Sequence, residues 1–182
     1  MSENQSLKQV FLQVWQQLQF GLSDRAHPAR FPTFATIGST GPEMRTLVLR
    51  GVDADAMEVE LHTDRASAKV GELCIDPRAA LHIWLPTLQL QIRMRATVAM
   101  IHADPARWAA IPDAARRGYG ATPSPGVEIA SPEEHVITPD MARHTALRCV
   151  LNEIETLQLD KSAHRRAIFQ RVDGWQGRWC AP

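Results

Sequence analysis

The 182-residue sequence lacks most of the features that classify a protein directly. Its three cysteines, Cys74, Cys149 and Cys180, are odd in number and widely spaced, and none forms a Cys-x-x-Cys pair. That excludes a disulfide framework and leads us to expect reduced thiols in a cytoplasmic protein. The seven histidines include no His-x-x-x-His or Glu-x-x-His pair, so no metal site is expected. Aromatic residues make up 6% of the chain, with a single tyrosine, and the formal net charge is zero. Zero net charge argues against a nucleic-acid partner recruited by electrostatics. No apolar run approaches the ~18 residues of a membrane span. The segment Met1–Gln5 has neither a basic nor an apolar stretch, so no secretion signal is expected. No Ser-His-Asp ordering suggests a hydrolase, and no internal repeat is visible.

What is present is an ordinary globular composition, 45% hydrophobic and 22% charged. A chain of this length buries about 70% of its unfolded surface, enough for one domain over residues 1–182 without staples. Leu7, Val10, Phe11, Val14, Trp15 and Leu18 form an amphipathic stripe, so a helix is expected over 1–22 with Gly21 as its stop. The period then falls to two. Strands are expected at Thr33–Ile37, Met44–Val52, Met57–Leu61, Ala79–Leu85, Leu90–Met100, Leu147–Leu159 and Arg166–Val172, with a last one possible at Trp175–Cys180. Gly38 and Gly41 fit a turn, since no Gly-Lys-Ser/Thr follows. Ser67–Ile75 reads as helical, Asp104-Pro105 as a helix start, and residues 121–143, rich in proline, as a loop or lid. The fold class expected is α+β, mainly β: an antiparallel barrel of six to seven strands with flanking helices.

Arg45, Thr46, Thr63, Ser67 and Lys69 sit on or beside two of these strands. Hydroxyls and fixed cations are the chemistry a phosphate dianion needs. Taken alone they support only an anion site. Arg45 and Arg50 also suit the solvated face of an edge strand, Ser67 a helix cap, Lys69 a solvent-facing helix position, and Gln91 an interface. Arg93 and Arg95 read as interface or surface charges, and Glu133-Glu134-His135 as a solvated stretch.

Several segments in order give a more specific reading. They are Arg45-Thr-Leu-Val-Leu-Arg50, His62-Thr63-Asp64 with Ser67-x-Lys69, Asp76-Pro77, Trp84 with Thr87-Leu88-Gln-Leu-Gln91-Ile92, and His164-Arg-Arg166 through Gln170-Arg171, Trp175 and Ala181-Pro182. In this order and spacing the chain resembles the pyridoxamine 5′-phosphate oxidase superfamily of FMN-binding split barrels, in particular its uncharacterised oxidase-related branch. The resemblance implies a split-barrel homodimer with FMN between the subunits. It implies that Arg45 and Lys69 hold the phosphate, with Ser67 and Thr63 as hydroxyl donors, and that Thr46 is among the FMN-binding residues. The backbone of Leu47 and Val48 would run beside the ring, His62 would touch flavin or solvent, and Gln91 would reach the partner's flavin. Arg166 would sit at the N1–C2 edge. On the substrate side the resemblance implies Arg50 and His164, the latter being the one catalytic candidate.

The departures from the family pattern matter as much. The second phosphate cation is replaced by Ala68, with Arg65 as the candidate substitute, and Leu157 stands where the vitamin B6 enzyme carries a flavin-side Trp. No Tyr, Arg and Ser set for a substrate phosphate follows the long strand, and the Arg-Leu-His ending becomes Ser162-Ala163-His164. The expected function is an FMN-dependent oxidoreductase acting on a different small molecule. The alternatives are a flavin-storing or flavin-sensing module without turnover, and a barrel that holds another planar anion. Trp175 and Trp179 are assigned to barrel closure or to shielding the flavin.

Overall fold

A computed structural model describes residues 6–161 and 163–182. Met1–Gln5 and Ser162, the latter part of the altered Arg-Leu-His segment, lie outside the described residues. Helix α1, Leu7–Ser23, opens with a capping box: Ser6 accepts from the Gln9 backbone and the Gln9 side chain accepts from the Ser6 N–H. Val10, Val14, Trp15 and Leu18 of the expected stripe are buried against the sheet. Gly21 does not stop this helix, which continues to Ser23. Instead, a Cβ at Gly21 would stand 2.8 Å from the Ala29 carbonyl carbon, so the glycine permits close approach of the Pro28–Arg30 turn.

The strands are β1 Thr33–Ile37, β2 Pro42–Thr46, β3 Leu49–Asp53, β4 Glu58–Asp64, β5 Arg78–Leu85, β6 Leu90–His102, β7 Ala121–Thr122, β8 Val136–Ile137, β9 His144–Gln158, β10 Arg165–Gln170 and β11 Arg178–Cys180. The main antiparallel sheet has nine of them, in the order β11-β10-β9-β6-β5-β1-β2, with β4 also on β9 and β3 on β4. That exceeds the six or seven expected, in part because Met44–Val52 is two strands. The chain leaves its ladder with β1 at Thr46 and joins β4 from Leu49, so Leu47 and Val48 lie between ladders.

The split in the barrel originates in β9. One edge pairs with β6 along nearly its whole length; the other is shared between β4, at His144–Val150, and β10, at Glu153–Gln158. The register against β6 shifts at Arg95/Ala96, which leaves Asn152 unpaired and bonded through its amide to Thr97 Oγ1 at 3.0 Å. A bulge bends its strand, and this one lies where the second edge of β9 passes from β4 to β10. Side chains of paired residues share a face, so Thr33, His82, Arg93, Glu155, Ile168 and Arg178 form one outward row. Trp84, Gln91, Leu157, Arg166 and Cys180 form the next row.

Helix α2, Ala68–Ile75, begins at Ser67 as expected. The short helices α3, Pro105–Ala110, and α4, Asp113–Arg116, follow β6, and Asp104 caps α3 by accepting from the Arg107 N–H. The proline-rich segment is not structureless, since β7 and β8 pair across it. At its root, a Cβ on Gly120 (φ 107°) would clash with the Thr138 carbonyl oxygen. Two glycines test the packing. Gly21→Ala lowers stability by about 1–3 kcal/mol through overpacking. Gly71→Ala, with nothing within 4 Å of its added Cβ on α2, raises it by about 0.5–1 kcal/mol. Urea unfolding checks the opposite signs.

Candidate functional site

The centre of the site is the junction of β4 and α2, where Asp64 fixes the turn. Its Oδ1 accepts from the Ala66 N–H at 2.8 Å and from Arg143 Nε at 3.0 Å, and its Oδ2 accepts from the Gly120 N–H at 2.8 Å. This buried carboxylate thus ties both roots of the proline-rich segment to the turn. The turn presents Ser67, which occupies the N-cap position of α2 without a side-chain cap bond. Its hydroxyl instead accepts from Thr63 Oγ1 at 3.4 Å, and Lys69 Nζ donates to Thr63 Oγ1 at 3.1 Å. From β2, Arg45 donates to Thr36 Oγ1 and, at 3.1 Å, to Glu72 Oε2. Burial lowers the pKa of the Lys69 ammonium, and the charge of Arg45 lowers it further.

Arg45, Thr63, Ser67 and Lys69, singled out in the sequence, therefore do converge. Two cations close enough for one to depress the other, two hydroxyls and a helix N-terminus make a donor set that fits a phosphate dianion. Sequence reasoning missed Thr36 and Glu72. Glu72 follows Lys69 by three residues on one helix face, which was a readable signal. Arg65 is exposed and its charge reaches His102, whose pKa is lowered by burial first and by Arg65 second. The observed companion of Arg45 at the cradle is Thr36, and no observed contact puts Arg65 there.

Of the two surroundings expected for His62, flavin or solvent, solvent does not apply, since its side chain is buried. Its Nε2 lies 2.9 Å from Glu60 Oε1, and its ring meets His144 edge-on at 4.6 Å. His144 is fully buried among His62, Trp108 and Tyr119, and neither ring nitrogen has a partner among the described residues. Burial and then the neighbouring His62 hold its pKa down to about 4. Burial pushes the Glu60 carboxyl up, but hydrogen bonds from His62 and Arg107 outweigh that and leave it below its ordinary value. Beside this cluster opens a pocket of about 310 Å³ lined by residues that include Arg30, Arg50, Glu60, His62, Arg107 and Ile111. Tyr119 is raised by burial and pulled back by the nearby Arg50.

Thr46, Gln91 and Arg166 lie on the outward face of the sheet. Gln91 and Arg166 share one row through Leu157, and Thr46 pairs with Thr33 in the adjacent row. Arg166 donates to Glu155 Oε1 at 2.9 Å, while its buried Nε has no partner among the described residues. His164 is exposed on the turn after β9, where its Nδ1 accepts from the Asp160 N–H at 3.3 Å; it does not line the Arg50 pocket. Trp175 packs against Phe11 of α1 at 6.0 Å, which is closure. Among the described residues no group of three or more His, Cys, Asp or Glu converges on a metal position, and no helix is long and apolar enough to cross a membrane.

Residues 10–102, just over half of the chain, match the family described as pyridoxamine 5′-phosphate oxidase, FMN-binding domain. The chain belongs to this family. The matched domain is its FMN-binding domain, which makes FMN the cofactor. The chain is 29% identical over 152 residues to a pyridoxine/pyridoxamine 5′-phosphate oxidase of Pseudomonas fluorescens and 30% identical over 156 residues to one of Pseudomonas paraeruginosa. Each alignment takes in 80% of this chain but only 66% of the relative, so the chain spans about two thirds of these relatives' length. The crystal structure of a pyridoxamine 5′-phosphate oxidase-related, FMN binding protein from Nostoc punctiforme aligns with TM-score 0.76 at 26% identity, covering 93% of this chain and 96% of that one. PhzG from Burkholderia lata shares the split-barrel fold, with TM-score 0.73 at 16% identity over 100% of this chain and 95% of its own.

The buried His144 gives the family fold here a specific pH response. Above pH 6.5 its imidazole is neutral in both folded and unfolded states. As pH falls below 6.5 the unfolded chain takes up the proton, while the folded one does not until about pH 4. Stability is therefore lost across that window, by about 2 kcal/mol between pH 7 and pH 5. His144→Phe loses correspondingly less in urea midpoints measured at the two pH values; equal losses in both proteins contradict the assignment.

Proposed function

We propose that the protein is an FMN-dependent oxidoreductase acting on a small anionic molecule other than a B6 phosphate ester, with FMN held between two copies of the chain. The convergence of Arg45, Thr63, Ser67 and Lys69 carries this reading. In it, Arg45 and Lys69 bind the phosphate dianion, Thr63 and Ser67 donate to its remaining oxygens, and Glu72 releases Arg45 as the phosphate arrives. The backbone at Leu47 and Val48, where only the Leu47 N–H is bonded to the Pro32 carbonyl at 3.1 Å among the described residues, lines the ring, and Gln91 and Thr46 face it from the outward surface of the sheet. FMN, when bound, supplies two-electron acceptance. Arg166 places a positive charge at the ring's N1–C2 edge. His62 keeps to the Arg50 pocket.

That pocket supports the substrate assignment. Arg107 is already paired with Glu60 at 3.0 Å and with Asp104 at 3.6 Å, and Arg30 donates to the Gly21 and Leu22 carbonyls at the end of α1. Arg50 is hydrogen-bonded to Tyr119, and its buried Nε has no partner among the described residues. A single carboxylate or similar anion satisfies it, with Tyr119 alongside. His164, exposed on its turn, is assigned to the substrate side only through a second copy. Met44 and Trp84, exposed at 71% and 37% on the outward face, suit that copy's docking.

Two measurements test this. Arg45→Ala and Lys69→Ala each weaken FMN binding, followed by fluorescence quenching, by about 2 kcal/mol as lost charge-assisted contacts; unchanged affinity places the phosphate elsewhere. Reconstituted protein supplied with reduced nicotinamides and oxygen, or with small carboxylate donors, turns over. Bound FMN without turnover on any of these favours storage or sensing.

A further inference from the structure

The proposed flavin-edge cation does not act alone. Glu155 is 6% exposed, and its Oε1 receives both Arg166 Nη2 at 2.9 Å and Arg93 Nη1 at 3.1 Å. The arrangement follows from register. Arg93 and Glu155 are paired across β6 and β9, and Arg166 lies two positions from the Glu155 partner Ile168, on the next outward row of β10. A second ion pair, Arg95 with Glu153 at 3.4 Å, continues the ladder one row further. Two guanidinium groups that share one buried carboxylate oxygen are held at a fixed spacing, and their summed charge is set by that carboxylate.

We infer that Glu155 is a positioning residue that tunes the reduction potential of bound FMN by fixing and partly cancelling the charge of Arg166, with Arg93 as the counterweight. This rests on the proposed placement of Arg166 at the ring edge. Two-electron reduction with uptake of one proton leaves the flavin with an added negative charge at that edge. The group formed by Arg166, Glu155 and Arg93 carries a net charge of about one positive unit by ordinary ionisation states. Neutralising Glu155 makes the surroundings more positive and favours the reduced form; removing Arg93 lets Glu155 cancel Arg166 and disfavours it. In a site screened from water such differences are felt far more than on the surface. The Nε of Arg166 is buried and has no partner among the described residues.

The test is a reductive titration of FMN-loaded protein with dithionite against a reference dye, with FMN affinity measured alongside. Glu155→Gln shifts the reduction equilibrium at least tenfold toward the reduced form, about 30 mV for a two-electron couple. Arg93→Ala shifts it in the opposite direction, and so does Arg166→Ala. A merely structural disturbance has no reason to give opposite signs from the two partners of one ion pair. If Arg166→Ala lowers the potential while Glu155→Gln leaves it unmoved, the inference about Glu155 is overturned and the placement of Arg166 survives. If none of the three variants moves it, the placement of Arg166 fails first. Should Glu155→Gln not retain flavin, Arg93→Ala decides alone, because its side chain is 47% exposed and dispensable for packing; an unchanged potential then overturns the inference.

Discussion

Two cations held close together inside a protein need an anion between them, and the site is organised around that requirement. Lys69 is partly buried and feels Arg45, a combination that lowers its pKa. Without a ligand, Glu72 supplies the negative charge, joined to Arg45 at 3.1 Å and to Thr36. A carboxylate is a weaker partner for this pair than a phosphate dianion, which brings more charge and more acceptor oxygens. In the proposed reading Glu72 gives way to the phosphate at Arg45. The Thr63 and Ser67 hydroxyls, linked to each other at 3.4 Å, adjust to either occupant because hydroxyl protons rotate.

The rest of the molecule supports that cradle from a distance. Asp64 locks the β4–α2 turn and holds Gly120 and Arg143, so the long segment after α4 is anchored to the turn that carries Ser67. The bulge at Asn152 separates the β4 flank, which carries the cradle, from the β10 flank, which carries Arg166. One strand, β9, thus connects the proposed phosphate cradle at one flank to Arg166 and Glu155 at the other. Between them the outward face, with Gln91, Glu155 and two exposed apolar side chains, is where a ring system and a second chain meet in the proposed assembly.

Much of this was legible in the sequence, for identifiable reasons. Strand period and helical stripe located most of the main strands and the first two helices, because each depends on local alternation between buried and exposed positions. The clustering of Thr63, Ser67 and Lys69 was legible because they are close in the chain. What failed depended on partners distant in sequence. Met44–Val52 looks like one strand because nothing in its pattern shows that it changes neighbours at Leu47. Gly21 looks like a helix stop because Ala29 is not visible as a packing partner. The contact of His62 with His144 was not legible because alternation along β4 says nothing of a ring on the neighbouring β9. Glu155 became visible only once register placed it between Arg93 and Arg166.

The central claim is that the phosphate, more than the ring, anchors the cofactor. Its most direct test compares FMN with riboflavin, which has the same ring and no phosphate, by titration calorimetry with the intact protein. The account expects FMN to bind at least a hundredfold more tightly, equivalent to about 2.7 kcal/mol, and the difference to shrink at high salt. Equal affinities for the two would contradict it.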